Sequence, residues 1–306
     1  MADAQRQNAP ARPMLAVVRS LSSAWAEDLR LTLAQGAARD GSAAAVAGQA
    51  WLTHAAVAAL VLGAGLFLLA GYHAGFERLN SAAALLPAWV WQGFTSLGDE
   101  RVAFALSLFF ARRHPRVFWT LICAALVAVL YSRGLKPLVD AARPPAVLPA
   151  EAFHLIGPGH RHESFPSGHS VTAGVFFGVL LAYARRLPWR LLFLLLAVLG
   201  GVSRVAVGVH WPVDVAFGLG GGWLAAWLGP RLVTRSSWGI YDGSVHLAFV
   251  TLGAIVSIGL WFDDGGYAAM ALPLKLLAVA AITSTVLGYL LLPLWRISRM
   301  PRRGAD

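Results

Sequence analysis

Residues 166–228 read PSGHSVTAGVFFGVLLAYARRLPWRLLFLLLAVLGGVSRVAVGVHWPVDVAFGLGGGWLAAWL. Three apolar runs, 168–184, 189–207 and 212–228, alternate here with short polar strings. Each run approaches the roughly 20 residues that carry an α-helix across about 30 Å of hydrocarbon. A bilayer core offers no water to backbone N–H and C=O groups, so runs of this kind fold as helices. The polar strings are Pro166-Ser167-Gly168-His169, then Ser203-Arg204 with His210 and Asp214 behind it. Ionisable groups beside membrane helices are costly, so these strings read as functional.

The pattern extends in both directions. The chain is 58% hydrophobic and only 13% charged, with a mean hydropathy of +0.62, too apolar for an ordinary soluble domain of 306 residues. Further windows at 54–71, 96–111, 117–134, 245–262 and 271–293 bring the expected total to about eight spans. The fold class predicted is all-α, a polytopic transmembrane helix bundle. The 96–111 window carries Asp99, Glu100 and Arg101 at its start, and Pro87-Ala88-Trp89-Val90-Trp91 before it suits the aromatic belt of an interface. Upstream, Leu15, Val18, Leu21, Trp25, Leu29 and Leu33 recur at helical spacing, which predicts an amphipathic surface helix over 14–33; a partly disordered tail is the alternative.

The net charge of +10 comes almost entirely from arginines clustered between apolar windows. With the N-terminus inside, seventeen of the twenty-five basic residues fall on inner segments, among them Arg6, Arg12, Arg112, Arg113, Arg185, Arg186, Arg302 and Arg303. This is the positive-inside pattern and not a nucleic-acid stripe. It predicts cytoplasmic termini and puts the polar strings on the outer face. The single cysteine, Cys123, excludes a disulfide framework and a cysteine metal site. Residues 1–50 lack an uninterrupted apolar core, so no cleaved signal peptide is expected.

A third polar string lies upstream, Lys136 followed seven residues later by Arg143-Pro144. Juxtamembrane Lys and Arg are usually interfacial anchors. These two lie on the side that otherwise avoids positive charge, and an ammonium with a guanidinium fork suits a doubly charged phosphate. Pro166-Ser167 before an apolar run is a helix start, and the N–H groups there form an anion site that Gly168 leaves open. His169 beside it can exchange a proton near neutral pH. Asp214 follows His210 by four residues, so its carboxylate can hold one imidazole nitrogen and leave the other nucleophilic. Arg204 would then stabilise charge on a transferring phosphoryl group.

These three strings, in this order and with these intervals, resemble the three motifs of the type 2 phosphatidic acid phosphatase (PAP2) superfamily, over about residues 76–228. The resemblance implies a six-helix core with two additional C-terminal spans, and the division 1–50 cytoplasmic tail, 51–228 catalytic core, 229–306 extra spans and basic tail. It implies His210 as a nucleophile forming a phosphohistidine, Asp214 orienting it, and His169 as acid and then base. It implies Lys136, Arg143, Ser167, Gly168 and Arg204 as phosphate holders, with no metal and no cofactor. The substrate class implied is a lipid phosphate or diphosphate in a bacterial inner membrane: undecaprenyl diphosphate, phosphatidylglycerol phosphate, phosphatidic acid or lipid A phosphate. A lipid phosphotransferase, a sugar-phosphate phosphatase and, outside enzymes, a transporter are the alternatives. The family's lipid phosphatases often repeat Arg-Pro in the first motif; here Arg143-Pro144 is followed by Pro145-Ala146.

Elsewhere, Asp99, Glu100 and Arg101 are expected to pair with one another, and His160, Arg161, His162 and Glu163 to be solvated or to touch a headgroup. Asp263 and Asp264 are not expected to hold a metal. Lys275 is expected to snorkel, and the glycine-rich 218–222 run to serve helix packing.

Overall fold

The computed structural model describes residues 11–299, with side chains described for 18–41 and 47–299. Arg6, Arg302 and Arg303 lie outside the described residues, and so do the side chains of Arg12 and Leu15. No strand occurs among the described residues. The helices are α1 (Ala11–Asp40), α2 (Ser42–Ala70), α3 (Phe76–Ala83), α4 (Ala88–Ser96), α5 (Glu100–Leu108), α6 (Pro115–Val139) and the short α7 (Pro144–Val147). They continue as α8 (Gly168–Tyr183), α9 (Leu187–Ala206), α10 (Pro212–Arg235), the short α11 (Trp238–Tyr241), α12 (Gly243–Phe262), α13 (Ala271–Val286) and α14 (Leu292–Ser298).

Their ends follow local chemistry. Pro115 and Pro212 open α6 and α10, where a missing N–H costs nothing. Asp99 caps α5 by accepting from Arg101 N at 2.8 Å, and Asp242 caps α12 by accepting from Ser244 N at 2.8 Å.

Among the described residues, five segments are long and apolar enough to cross a membrane: Ala47–Ala70, Pro115–Val147, Leu187–Ala206, Gly243–Phe262 and Ala268–Ser298. The chain is an integral membrane protein. The other three expected spans differ for distinct reasons. The 168–184 run is a helix of 16 residues, and α10 has 24 but its glycine-rich 218–222 run and Asp214 leave it less apolar than the five. The 96–111 run is broken: α4 ends at Ser96 and α5 is a nine-residue helix, about 14 Å long.

Three hydrophobic clusters occur among the described residues, two of them large. One joins α2, α6, α8, α9 and α10 around Leu52, Leu121, Phe176, Ala197, Leu219 and Trp223. The glycine run puts α10 at its centre. A Cβ on Gly222 would lie 2.5 Å from the Val171 carbonyl oxygen and 3.0 Å from Gly174 Cα, so α8 and α10 approach backbone to backbone. The second core joins α1, α5, α6, α11, α12 and α13 around Leu33, Leu108, Phe118, Ile240, Val250 and Ala278.

The helix expected over 14–33 is present as part of α1, but its stripe divides. Leu29 and Leu33 are buried in the second core, Val18 and Leu21 are exposed, and Trp25 Nε1 donates to the Tyr289 carbonyl at 2.7 Å. Arg112 ties Asp28 and the Gly288 carbonyl to the same junction. The inner half of the stripe therefore covers protein and not lipid. Lys275 lies over the Trp261 ring at 5.7 Å. Cys123 is buried and free.

Candidate active site

Arg204 lies at the end of α9, and its carbonyl accepts from Val209 N at 3.1 Å and His210 N at 3.2 Å. The chain turns back through Gly208 at φ +84, where a Cβ would also lie 2.5 Å from the His154 carbonyl oxygen. That turn sets His210 beside Arg204. Trp211 is buried, stacked on His73 with ring centroids 3.8 Å apart, and its Nε1 donates to Ala142 at 2.8 Å. Asp214, in the first turn of α10, reaches back to accept from Trp211 N at 2.9 Å. This is capping chemistry, and it leaves the carboxylate facing the His210 ring.

The His210 ring is 2% exposed and Asp214 is fully buried. His210 Nδ1 lies 3.3 Å from Asp214 Oδ2 and 3.4 Å from Ser164 Oγ. Ser164 donates to Asp214 Oδ2 at 2.5 Å, and the Tyr72 hydroxyl donates to Oδ1. An Nδ1–H directed at the carboxylate leaves the lone pair on Nε2. Burial first, then Arg143 and Arg204, hold the His210 imidazole well below the usual histidine range. Burial and the Asp214 carboxylate push the Tyr72 phenol up, so it stays a donor.

Lys136, Arg143, His160, Gly168, His169, Arg204 and His210 line one pocket of about 180 Å³. All three motifs therefore meet. Lys136 Nζ donates to the Glu163 carbonyl at 2.8 Å and Arg143 Nε to the His162 carbonyl at 2.7 Å, so the 160–163 loop braces both cations. The buried Arg204 donates through Nη1 to Thr95 Oγ1 at 2.5 Å and to the Tyr267 hydroxyl at 2.9 Å; its Nε has no partner. Ser167 is buried and is not among the residues lining this pocket; its hydroxyl caps α8 by accepting from Ser170 N at 3.4 Å.

A larger cavity of about 660 Å³ shares Lys136, Gly168 and His169 with this pocket and is mostly apolar. Arg101, on its rim, pairs with Asp99 at 2.7 Å, as expected, and also with Asp263 at 2.9 Å. No cluster of His, Cys, Asp and Glu able to hold a metal occurs among the described residues.

Tyr72, Ser164, Thr95 and Tyr267 were not legible as site residues. Ser164 lies two residues before Pro166 and is the nearest of them to a motif; the others lie in separate elements and carry no spacing signal.

The segment holding all of these motifs has known counterparts. Residues 116–238 match the PAP2 superfamily. That is the family whose motifs the sequence resembles, and the matched PAP2 segment contains Lys136, Arg143, Ser167, Gly168, His169, Arg204, His210 and Asp214. Among curated proteins, a lipid A 1-phosphatase of Rhizobium etli is 40% identical over 119 residues, which is 36% of this chain and 46% of that protein. An undecaprenyl-diphosphatase of Sulfolobus acidocaldarius is 34% identical over 122 residues, 40% of this chain and 57% of that protein. The chain thus spans about half the length of the curated relatives it matches. Among solved structures, Aquifex aeolicus LpxE aligns with a TM-score of 0.46 at 26% identity, covering 51% of this chain and 92% of that one. A PAP2 type phosphatidylglycerolphosphate phosphatase from Bacillus subtilis aligns with a TM-score of 0.45 at 24% identity, covering 60% and 96%.

Proposed function

We propose that this protein is a membrane phosphatase that removes phosphate from a lipid phosphate or diphosphate through a phosphohistidine, with residues 51–228 as its catalytic core. The observation that carries this reading is the pocket of Lys136, Arg143, Arg204, His169 and His210 opening beside a mostly apolar cavity. His210 Nε2 attacks phosphorus and the bond from phosphorus to the leaving oxygen breaks, while His169 gives that oxygen a proton. His169 then takes a proton from water, whose oxygen attacks phosphorus and breaks the P–N bond, releasing inorganic phosphate and free His210. Asp214 holds Nδ1 throughout. Lys136, Arg143, Arg204 and the N–H groups at the start of α8 stabilise the equatorial oxygens, work that metal ions do in other phosphatases. The names of the curated relatives, lipid A 1-phosphatase and undecaprenyl-diphosphatase, support a lipid substrate. The arginine distribution supports a site on the outer face of a bacterial inner membrane with both termini cytoplasmic.

The test is phosphate release by the purified protein over a panel of lipid phosphates, lipid diphosphates and sugar phosphates, with EDTA present. Release from lipid phosphates in EDTA, abolished in a folded His210→Ala variant, is expected. Release that survives His210→Ala, or that EDTA abolishes, overturns the mechanism.

A further inference from the structure

The 660 Å³ cavity has a polar end and an apolar end. Asp99, Arg101, Arg133 and Lys136 line the first; Leu121 and Ile122 of α6, with Phe249 and Leu252 of α12, line the second. From Lys136 down to Leu121 the lining follows α6 for about 22 Å at the helical rise of 1.5 Å per residue. That depth is roughly two thirds of the hydrocarbon thickness. The wall on the far side comes from α12, which lies outside the segment matching the family. It is tied to α5 at the mouth by the Arg101–Asp263 ion pair, and Leu252 lies about 16 Å below that pair by the same rise. Phe249 is braced by Trp119, with ring centroids 5.4 Å apart, whereas Leu252 is 44% exposed.

We propose that one hydrocarbon chain of the substrate occupies this cavity while its phosphate sits in the adjoining pocket, and that Leu252 and Phe249 of α12 determine the chain length accepted. The inference rests on the phosphatase reading and adds the class of tail and the residues that select it. The continuity of the two spaces through Lys136, Gly168 and His169 commits the occupant to an amphiphile with phosphate at one end. A chain entering from lipid leaves an environment as apolar as the cavity, so selection arises from packing fit and not from hydrophobic transfer.

Two measurements on the full chain in lipid nanodiscs test this. The first compares kcat/KM for alkyl phosphates of increasing chain length in the wild type, Leu252→Trp and Leu252→Ala. Narrowing the cavity with Leu252→Trp is expected to lower the ratio of long-chain to short-chain kcat/KM by about tenfold or more, the size of discrimination a methylene-scale misfit gives. Leu252→Ala is expected to move the preferred length upward. Ratios unchanged in both variants overturn the proposal. The second uses a long-chain alkyl phosphate bearing a diazirine at its tail end, with the labelled peptides mapped after irradiation. Labelling of 243–262 and of 121–129 supports the tail site; labelling confined to α2 or α9, or equal labelling by the matching uncharged alcohol, overturns it. Labelling of α12 without hydrolysis of any alkyl phosphate upholds the tail site and sinks the phosphatase reading instead.

Discussion

The hydroxyl of Tyr72, in the turn after α2, donates to Oδ1 of Asp214 in the first turn of α10. The other oxygen of that carboxylate takes Ser164, Trp211 N and the His210 ring. Asp214 is therefore held at both oxygens, and the His210 ring takes its orientation from a group that cannot rotate. A buried carboxylate stays ionised only when it is hydrogen-bonded in this way. Tyr72 thus positions the His210 ring through Asp214, although α3, α4 and α5 separate it in sequence from α6 and Lys136.

Replacing Tyr72 with Phe deletes one buried hydrogen bond, worth about 1 kcal/mol net. We expect kcat to fall by about fivefold with KM little changed, together with an altered pH profile, because the carboxylate loses a donor without losing substrate contacts. Steady-state kinetics across pH check this. A change confined to KM would contradict the assignment.

Arg204→Lys is not a conservative change. A lysine cannot donate to both Thr95 and Tyr267 and still present a fork to a phosphate. A loss of about 100-fold or more in kcat is expected, as for removal of one transition-state donor. Thr95→Ala and Tyr267→Phe should each cost less, about fivefold, since each removes one of the two groups that aim the guanidinium.

The acid limb of the pH profile tests the environment of His210. Its pKa is depressed in the folded protein, so the neutral, nucleophilic ring persists as pH falls below about 6.5, where a free histidine would protonate. The acid-side loss of kcat/KM assigned to His210 should therefore appear well below that value. The same shift has a stability consequence. The unfolded chain takes up a proton at about 6.5 and the folded one does not, so this group's contribution is full above that pH and is lost as pH falls toward the folded value. Thermal unfolding at about pH 5 should occur at a lower temperature than at about pH 7, and His210→Gln should flatten the difference.

Gly222→Ala tests the centre of the bundle. The new methyl meets backbone of α8 and not a side chain that can swing away. Separating two packed helices should destabilise the protein by about 1–3 kcal/mol and lower its Tm, measurable by thermal unfolding in detergent. A variant as stable as the wild type would show that α8 and α10 are not pinned together there.

Residue order singles out Lys136, Arg143, Gly168, His169, Arg204 and His210, and all six line one pocket. The Ser167 hydroxyl caps α8 by accepting from Ser170 N, and in sequence a serine at a helix start looks the same whether it caps or binds. For the His160–Glu163 loop the sequence leaves solvation and headgroup contact open; its carbonyls brace Lys136 and Arg143, and His160 lines the pocket. Backbone carbonyls leave no trace in residue type, so this could not be seen in advance. The span at 96–111 failed because apolar content alone does not report a helix break; Asp99 starts a new helix there by capping it.

The sequence by itself determined that this chain lies in a membrane, that it is helical, and that three polar strings stand where a membrane chain ordinarily avoids charge, because apolar run length and costly charges are local properties. Only the tertiary structure decided which residues hold those groups in place. Tyr72 reaches Asp214 across 142 positions, Thr95 reaches Arg204 across 109, and Tyr267 reaches it across 63. Such pairs arise from how close helices can approach, which the glycines of α10 set, and from which α12 face closes the cavity. Contacts of that kind depend on packing geometry, which no run of residues states on its own.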